Sequence, residues 1–235
     1  MRIGVITFPG SLDDRDAARA VRLAGAEPVP LWHADRDLRG VAAVILPGGF
    51  SYGDYLRTGA IARFSPVMKA VDKFANQGGL VLGICNGFQI LLEAGLLPGA
   101  MVRNSGLRFI CKHVHMRVEE TNSPFTGAAK KGQILTIPIA HSDGNYRCDE
   151  TILADLEKNH QILFRYTTRD GRNDAAGNPN GSTANIAGIS NAGRNVAGLM
   201  PHPERAVEEM LDSEDGLVIF RSMIEALAGA AKATA

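Results

Sequence analysis

The sequence predicts an α/β protein built on a mostly parallel sheet with an antiparallel extension, and two patterns support this fold class. In the first half of the chain, short apolar runs alternate with segments of helical periodicity, which is typical of parallel sheets. In the middle, two segments alternate apolar and polar residues, as antiparallel strands do. With 235 residues, 45% of them hydrophobic, the chain can bury one sizeable core, so we predict a single domain over residues 1–235.

The first half follows a strand–helix rhythm. A helix within residues 65–79 can begin with Ser65 as N-cap and Pro66 in its first turn, and it ends at Gly78. A short helix follows Cys85 and ends at Gly95. The other predicted elements are strands at 3–8, 28–32, 41–46 and 80–84 and a helix at 13–24.

The second half contains more alternating patterns. Residues 108–119 and 133–141 are predicted to form an antiparallel ribbon at the edge of the sheet. The polar loop at 169–185 is longer than a connection needs, which is typical of segments that carry function or are mobile. The remaining predictions are a helix at 152–159, a strand at 162–166, two strands about a turn at 191–194, and a helix at 213–230 with Glu214 and Asp215 in its first turn.

Charge and composition argue against two classes of partner. The chain has 25 basic and 25 acidic residues, so no net charge attracts it to nucleic acid or to an anionic membrane. Its first ten residues, MRIGVITFPG, suit a first β-strand better than a signal peptide, and no apolar run reaches membrane-spanning length. We therefore expect a cytoplasmic protein that binds neither nucleic acid nor membrane.

Neither the three cysteines nor the one alternating histidine pair indicates a metal or disulfide site. Cys85, Cys111 and Cys148 are an odd number without paired spacing, which argues against a disulfide framework and a zinc site. His113 and His115 alternate on one strand without an evident third ligand, so a solvated strand face is favoured over a metal site. We expect no metal here and regard Cys111 and Cys148 as structural or incidental.

Cys85 lies where a buried strand meets a helix, in the stretch LVLGICNGFQ. Gly83 and Gly87 leave room for a tight strand-to-helix bend that lifts the thiol above the sheet. The helix N-terminus favours the thiolate, and the Asn86 N–H can point toward an oxyanion. The elbow alone leaves two readings open, a nucleophile and a buried cysteine that acts as a small hydrophobe.

A base and its orienting group are offered by GLMPHPER. His202 and Glu204 follow an apolar strand, and Pro201 and Pro203 stiffen the segment that holds them. By itself this motif could be a surface turn with a solvated glutamate. Together with the Cys85 elbow it predicts a Cys-His-Glu triad.

Glycines also follow the strand at 41–46. Gly48 and Gly49 would let backbone N–H groups approach a substrate oxygen, so Gly49 and Asn86 could complete an oxyanion hole. The alternative is a plain turn.

These motifs resemble a known family. PGGFSYGD, GICNGFQ and MPHPE together are similar to the class I (triad) glutamine amidotransferases, and PIAHSDGNY and NPNGSTANIAGISNAGRNVAGLMPHPER extend the resemblance over nearly the whole chain. The resemblance implies a flavodoxin-like, three-layer α/β/α fold with Cys85 as nucleophile, His202 as base and Glu204 as its orienting group. The family more often has Gly-Glu where this chain has Ser142-Asp143.

The resemblance also implies a reaction. Cys85 would attack the side-chain amide of glutamine, and hydrolysis of the thioester would yield glutamate and ammonia. Backbone N–H groups of Gly49, Phe50 and Asn86 would hold the oxyanion. Gly48 and Gln89 would line the glutamine pocket, and His141 would lie at the rim of the site or at a partner contact.

A partner chain is implied as well. The sequence has no G-x-x-x-x-G-K-[ST] phosphate loop, so this chain is expected to bind no cofactor. The motifs are most similar to the glutaminase subunits of an ATP-dependent carbon–nitrogen ligase of purine biosynthesis. This implies a larger synthetase subunit that binds ATP and Mg²⁺, and a small accessory subunit. Tyr52, Tyr55 and Arg57 are candidates for the contact surface, and the alternative is ordinary packing of the loop.

Two other functions are compatible with parts of the sequence. The first is a different cysteine hydrolase on a related fold, either of the intracellular protease-like group or a dienelactone-type esterase. The protease-like group commonly has histidine directly after the nucleophile, where this chain has Asn86, and neither kind predicts the downstream His-Pro-Glu. A non-catalytic interaction subunit would be expected to have lost a member of the triad, whereas all three candidates are present. The sequence therefore favours a glutaminase.

Overall fold

A nine-stranded sheet organises residues 1–233, the part of the chain that the computed structural model describes. Its strand order is β2-β1-β3-β4-β11-β10-β9-β6-β7, and β5 and β8 pair separately. The strands are β1 (Arg2–Thr7), β2 (Glu27–Trp32), β3 (Ala43–Leu46), β4 (Leu80–Ile84), β5 (Ala100–Val102), β6 (Ile110–Val118), β7 (Ile134–His141), β8 (Asn145–Arg147), β9 (Ile162–Thr167), β10 (Ile186–Ser190) and β11 (Val196–Leu199). The helices are α1 (Asp14–Leu23), α2 (Pro66–Asn76), α3 (Asn86–Glu93), α4 (Glu150–Lys158) and α5 (Leu217–Ala233).

Strand direction determines where the loops meet. The strands from β2 to β11 in the sheet order are parallel to each other, and the four that follow pair antiparallel. Only β10 and β6 therefore run against the other seven strands. The carboxyl ends of β1, β3, β4, β11 and β7 all lie at the same edge of the sheet, which is where parallel α/β sheets place their binding sites.

The core lies on both faces of the parallel strands. Every residue of β3 and β4 is buried, which matches their continuous apolar sequences and their position inside the sheet. Helices α2 and α3 pack against β4, while α1 packs against β1 and β2 and also contacts α5. The predicted α/β fold, with helix layers about a mostly parallel sheet and an antiparallel extension, is confirmed.

The antiparallel strands curl the sheet back toward its parallel half. Three strands separate β11 from β7 in the sheet, yet the His202 N–H, just after β11, donates to the Pro138 carbonyl of β7 at 2.8 Å. The curl brings the end of β7, including Ala140 and His141, next to the ends of β4 and β11. Cys85 Sγ lies 3.9 Å from the Ala140 carbonyl oxygen.

The last helix begins later than predicted. Helix α5 starts at Leu217, and the segment before it covers the edge strand β7 instead. The Thr136 N–H donates to Asp215 Oδ2 at 2.7 Å, and Ser213 Oγ donates to the Thr136 carbonyl at 2.8 Å. The expectation of an acidic first turn was wrong because the Asp215 carboxylate accepts a hydrogen bond from the edge strand β7. Without it, this backbone N–H would be open to pairing with a strand of another chain.

Two smaller details also differ from the prediction. Ser65 precedes α2 without a side-chain capping bond, and its hydroxyl is 2.8 Å from Tyr52 Oη instead. The short strands β5 and β8 were not predicted. Within residues 1–233, no helix is both long and apolar enough to cross a bilayer.

Candidate active site

Cys85 lies at a sharp bend between β4 and α3. Its backbone has φ 49° and ψ −104°, a conformation that an L-residue rarely adopts and that marks stored strain. A Cβ atom at Gly87 would collide with the Leu46 carbonyl, and one at Gly83 would lie 2.7 Å from the Gly87 carbonyl. The two glycines therefore allow helix and strands to approach closely, which the sequence predicted for a nucleophile elbow.

His202 and Glu204 are paired beside the elbow. Nδ1 of His202 is 2.6 Å from Oε1 of Glu204, so Nδ1 carries the shared proton and Nε2 is the free nitrogen. Nε2 is buried without a hydrogen-bond partner in the described chain. Burial alone lowers the pKa of His202, but the charges of Glu204 and Cys85 outweigh it and raise this pKa well above its ordinary value. The imidazolium form is thus stabilised next to the thiol.

A second carboxylate, Asp13, supports this pair from behind. Its Oδ2 is 3.6 Å from His202 Nδ1, and its Oδ1 accepts a hydrogen bond from Arg205 Nε at 3.0 Å. A Cβ atom at Gly48 would collide with Asp13 and lie 2.8 Å from His202 Cε1. Sequence reasoning missed Asp13, which precedes α1 and has the composition of a helix start; the Asp-Asp pair there was the available signal.

The same side chains are the only group in residues 1–233 with the spacing of a three-ligand metal site. Ligand atoms of Asp13, His202 and Glu204 lie within 4.8 Å of one another. However, the Arg205 guanidinium already neutralises Asp13, and His202 Nδ1 is hydrogen-bonded to Glu204. The arrangement suits the orientation of an imidazole better than cation binding.

Two backbone N–H groups are free to hold an oxyanion near Cys85. In the described chain, the amides of Gly49 and Asn86 donate to no other group. Phe50 differs from the expectation, because its N–H donates to the Gly10 carbonyl at 2.8 Å. The geometry therefore leaves Gly49 and Asn86 as candidate donors and excludes Phe50 in this conformation.

A chain of amides ties three loops together at the site. Asn86 Oδ1 accepts from the Ser51 N–H at 3.2 Å, and its Nδ2 donates to Gln89 Oε1 at 2.9 Å. Gln89 Nε2 in turn donates to the Asp143 carbonyl at 2.7 Å. The side chain of Gln89 thus joins Asn86 to the loop that contains Asp143. It stabilises the site in addition to any contact with substrate.

A cavity of about 80 Å³ opens over Cys85. Neither lysine nor arginine is among its lining residues, whereas two aspartates are. The lining residues are Gly49, Phe50, Asp54, Thr58, Cys85, Gln89, Ala140, His141, Ser142 and Asp143. Gly48, expected in this pocket, lies instead against Asp13 and His202.

His141 is held as a neutral imidazole at the cavity. Asn104 Nδ2 donates to the His141 and Arg108 carbonyls, so its Oδ1 is the acceptor, and Oδ1 is 3.1 Å from His141 Nδ1. Nδ1 therefore carries the proton, and the buried Nε2 is an acceptor without a partner among residues 1–233. Burial, with a smaller contribution from the charge on His202, lowers the pKa of His141 to about 4.

The long polar loop supports the cavity wall rather than forming it. Asn180 is completely buried, and its Nδ2 donates to the Gly144 carbonyl at 2.7 Å. Ser182 Oγ contacts the same carbonyl, at 3.3 Å. The Gly144 segment packs directly on the His141 ring, where a Cβ atom would collide. Residues of the loop thus hold the His141–Asp143 turn in place.

The other reactive side chains lie elsewhere. Cys111 is exposed on β6, and Cys148 follows β8 and is half-buried. His115 Nδ1 is 3.2 Å from Thr136 Oγ1 on the neighbouring strand, and His113 is exposed. Neither histidine belongs to a three-ligand group in residues 1–233.

Known proteins resemble this chain over nearly its whole length. The model of the CobB/CobQ-like glutamine amidotransferase domain matches residues 1–218. Phosphoribosylformylglycinamidine synthase subunit PurQ of Koribacter versatilis is 58% identical, over 97% of this chain and 99% of that protein. The subunit PurQ of Rubrobacter xylanophilus is 57% identical, over 95% of this chain and 98% of that protein.

A solved structure agrees with the sequence relatives. A chain of the PurLQS structure from Thermotoga maritima superimposes with a TM-score of 0.85 and 44% identity, covering 96% of this chain and 98% of that one. The family match, the identities above one half and the shared fold lead to one conclusion: this chain belongs to the CobB/CobQ-like glutamine amidotransferases.

Proposed function

We propose that this chain is the glutaminase subunit of phosphoribosylformylglycinamidine synthase, which supplies ammonia to an ATP-dependent synthetase subunit in purine biosynthesis. The observation that carries the proposal is the full-length similarity to subunit PurQ at 58% identity, in a chain whose Cys85, His202 and Glu204 meet at one sheet edge. Glutamine is the substrate, and the products are glutamate and ammonia.

In the first step, the Cys85 thiolate attacks the amide carbon of glutamine. The strained elbow presents the sulfur at the N-terminus of α3, and the free N–H groups of Gly49 and Asn86 stabilise the negative charge on the oxygen. His202, held as an imidazolium, then donates its Nε2 proton to the departing nitrogen. Ammonia leaves, and a thioester joins Cys85 to the glutamyl group.

In the second step, His202 works in the opposite direction. Its Nε2, now without a proton, accepts one from water, and the oxygen of that water attacks the thioester carbonyl. The carbon–sulfur bond breaks, glutamate leaves, and the thiolate–imidazolium pair is restored. Glu204 keeps the imidazole ring oriented through both steps because its Oε1 stays bonded to Nδ1.

The ammonia has its use on other chains. We place ATP and Mg²⁺ on the synthetase subunit and a small accessory subunit beside it, in the cytoplasm, and no cofactor on the glutaminase chain. The names of the relatives support these partners: the similar Thermotoga maritima chain belongs to a PurLQS structure. Direct transfer between subunits would keep ammonia from being protonated in bulk water.

A docking surface for the synthetase lies beside the cavity. Tyr55 and Leu56 are 76% and 83% exposed, directly after the cavity residue Asp54. The two large apolar side chains are adjacent and border the cavity, and an apolar surface next to a binding site is one that a partner can cover. Arg57, in contrast, is exposed but paired with Glu93 of α3 in two hydrogen bonds of 2.6 and 2.7 Å, so it ties the loop to that helix.

The proposal is tested with the assembled complex carrying Cys85→Ala. We expect glutamine-dependent synthesis to be lost, while synthesis from added ammonium salt continues at the wild-type rate. Cys111→Ala, at an exposed thiol outside the cavity, is the matched control and should change neither activity. Equal loss of both activities in Cys85→Ala would contradict a dedicated glutaminase role.

A further inference from the structure

Two acidic side chains reach the cavity of Cys85 from different loops. Asp54 follows β3 in the loop before α2, and Asp143 follows β7. Oδ1 of Asp54 is buried and has no hydrogen-bond donor in residues 1–233. A carboxylate oxygen in this position loses its hydration without compensation, which is costly unless a ligand supplies the missing donor.

The electrostatics of the cavity also call for a cation. Burial and the neighbouring charge of Asp143 raise the pKa of Asp54 to about 6. No lysine or arginine lines the cavity in the described chain to balance the two acids. A positively charged group between them would relieve both the repulsion and the missing hydrogen bond.

We propose that Asp54, assisted by Asp143, binds the α-ammonium group of glutamine and thereby selects an amino acid as the amide substrate. This inference rests on the proposed function, which places glutamine in this cavity with its side-chain amide at Cys85. The α-ammonium is the one cationic group of glutamine. Asp54 is the principal partner because its Oδ1 is the unpartnered atom, whereas Asp143 contributes mainly through charge.

The remaining polar atoms of the cavity fit the same orientation. The Asp143 carbonyl is occupied by Gln89 Nε2, so Asp143 has its side chain left to offer. His141, which also lines this cavity, is held as a neutral imidazole and therefore adds no positive charge. A cavity lined by two aspartates and by neither lysine nor arginine suits a ligand with a positively charged N–H donor group.

The test compares two substrates in the assembled complex. One is glutamine, and the other is 4-carbamoylbutanoate, which has the same amide and chain but lacks the α-ammonium. For Asp54→Asn we expect kcat/KM for glutamine to fall about 100-fold, the scale for truncation of a buried charge pair, and kcat/KM for the analogue to change less than about threefold. Asp143→Asn should show a smaller loss of the same kind.

Matched controls separate this effect from general damage. Asp72→Asn removes an exposed carboxylate from α2 and should leave the preference for glutamine unchanged. Asp54→Glu, which keeps the negative charge, should retain part of the preference for glutamine over 4-carbamoylbutanoate.

The pH dependence gives a second test. In wild type, the kcat/KM for glutamine divided by that for 4-carbamoylbutanoate should fall as the pH drops below about 6, because protonated Asp54 cannot pair with the ammonium. Asp54→Asn should lack this fall. The other titratable side chains of the cavity, Asp143, His141 and Cys85, are the same for both substrates.

The outcomes are distinguishable. If Asp54→Asn lowers kcat/KM for both substrates by the same factor, Asp54 does not recognise the ammonium and the inference is overturned. If the wild-type complex hydrolyses neither substrate, the proposed function fails first, and the inference that rests on it fails with it.

Discussion

The imidazole of His202 and the carboxylate of Glu204 form a hydrogen bond of 2.6 Å in a region from which solvent is almost completely excluded. Burial raises the pKa of Glu204, but the charge of the neighbouring His202 and its hydrogen bond act against this increase. Each group thus offsets part of the cost of burying the other. If either partner were removed, the other would be left as a buried charge without its counter-charge, which is strongly destabilising. The pair therefore fixes which nitrogen of His202 is available to Cys85.

Glu204→Gln should show that Glu204 acts on the His202 imidazole and not on the binding of glutamine. The amide keeps the shape of the carboxylate but removes the charge that favours the imidazolium, so we expect kcat for glutamine hydrolysis to fall by about 10²- to 10⁴-fold, with little change in KM. Steady-state kinetics of the assembled complex measure this. Ammonia-dependent synthesis serves as the internal control, and a variant with wild-type kcat would remove Glu204 from the triad.

Gly87→Ala tests the close approach at the elbow. Because a methyl group would collide with the Leu46 carbonyl, a rigid backbone group, we expect the free energy of unfolding to fall by about 2 kcal/mol or more, with loss of glutaminase activity. Urea unfolding followed by circular dichroism measures it. Gly229→Ala, in α5 where nothing lies within 4 Å, should stabilise the chain by about 0.5–1 kcal/mol. Equal stabilities for the two variants would mean that the elbow has room to relax.

His141 should make folding sensitive to acid. Its pKa is about 4 in the folded chain against 6.5 for the unperturbed side chain, so between these values only the unfolded chain takes up the proton. Stability is complete above pH 6.5 and falls as the pH drops to 4, by about 3 kcal/mol from this one group. The difference in unfolding free energy between wild type and His141→Gln, measured at pH 7 and pH 4, isolates the effect. A difference that does not change with pH would show that His141 titrates normally.

Tyr55→Ser with Leu56→Ser should weaken assembly without harming the fold. Both side chains are mostly exposed, so the melting temperature should stay within a few degrees of wild type, while the affinity for the synthetase subunit falls at least about tenfold. Sedimentation velocity with the purified subunits measures it. Met210→Ser, at a side chain that is 91% exposed in another segment, is the control. Unchanged affinity of the double variant would place the docking surface elsewhere.

Local signals allowed much of this molecule to be predicted. The elbow could be predicted because its requirements, a small residue on each side of Cys85 at the end of an apolar strand, lie within five positions. The pair His202 and Glu204 was visible for the same reason. Strand β4 has the predicted bounds, 80–84, because a fully buried strand is a continuous apolar run.

Features that depend on distant contacts could not be predicted in this way. Asp13 has the sequence context of a helix start, and only the tertiary fold places it behind His202. The Phe50 N–H was assigned to the oxyanion because its partner, the Gly10 carbonyl, is forty positions away. Helix α5 starts late because Asp215 is needed at a strand edge that the sequence does not reveal.

The ion pair between Asp13 and Arg205 joins positions 192 residues apart, and His202 lies within the same late segment. During synthesis on the ribosome, the nucleophile emerges long before its base and the clamp that holds the base. A nascent chain that has not reached His202 carries the thiol of Cys85 without the imidazole that the proposed hydrolysis of glutamine needs. The order of the residues along the chain therefore makes the proposed glutaminase competence depend on translation past Arg205.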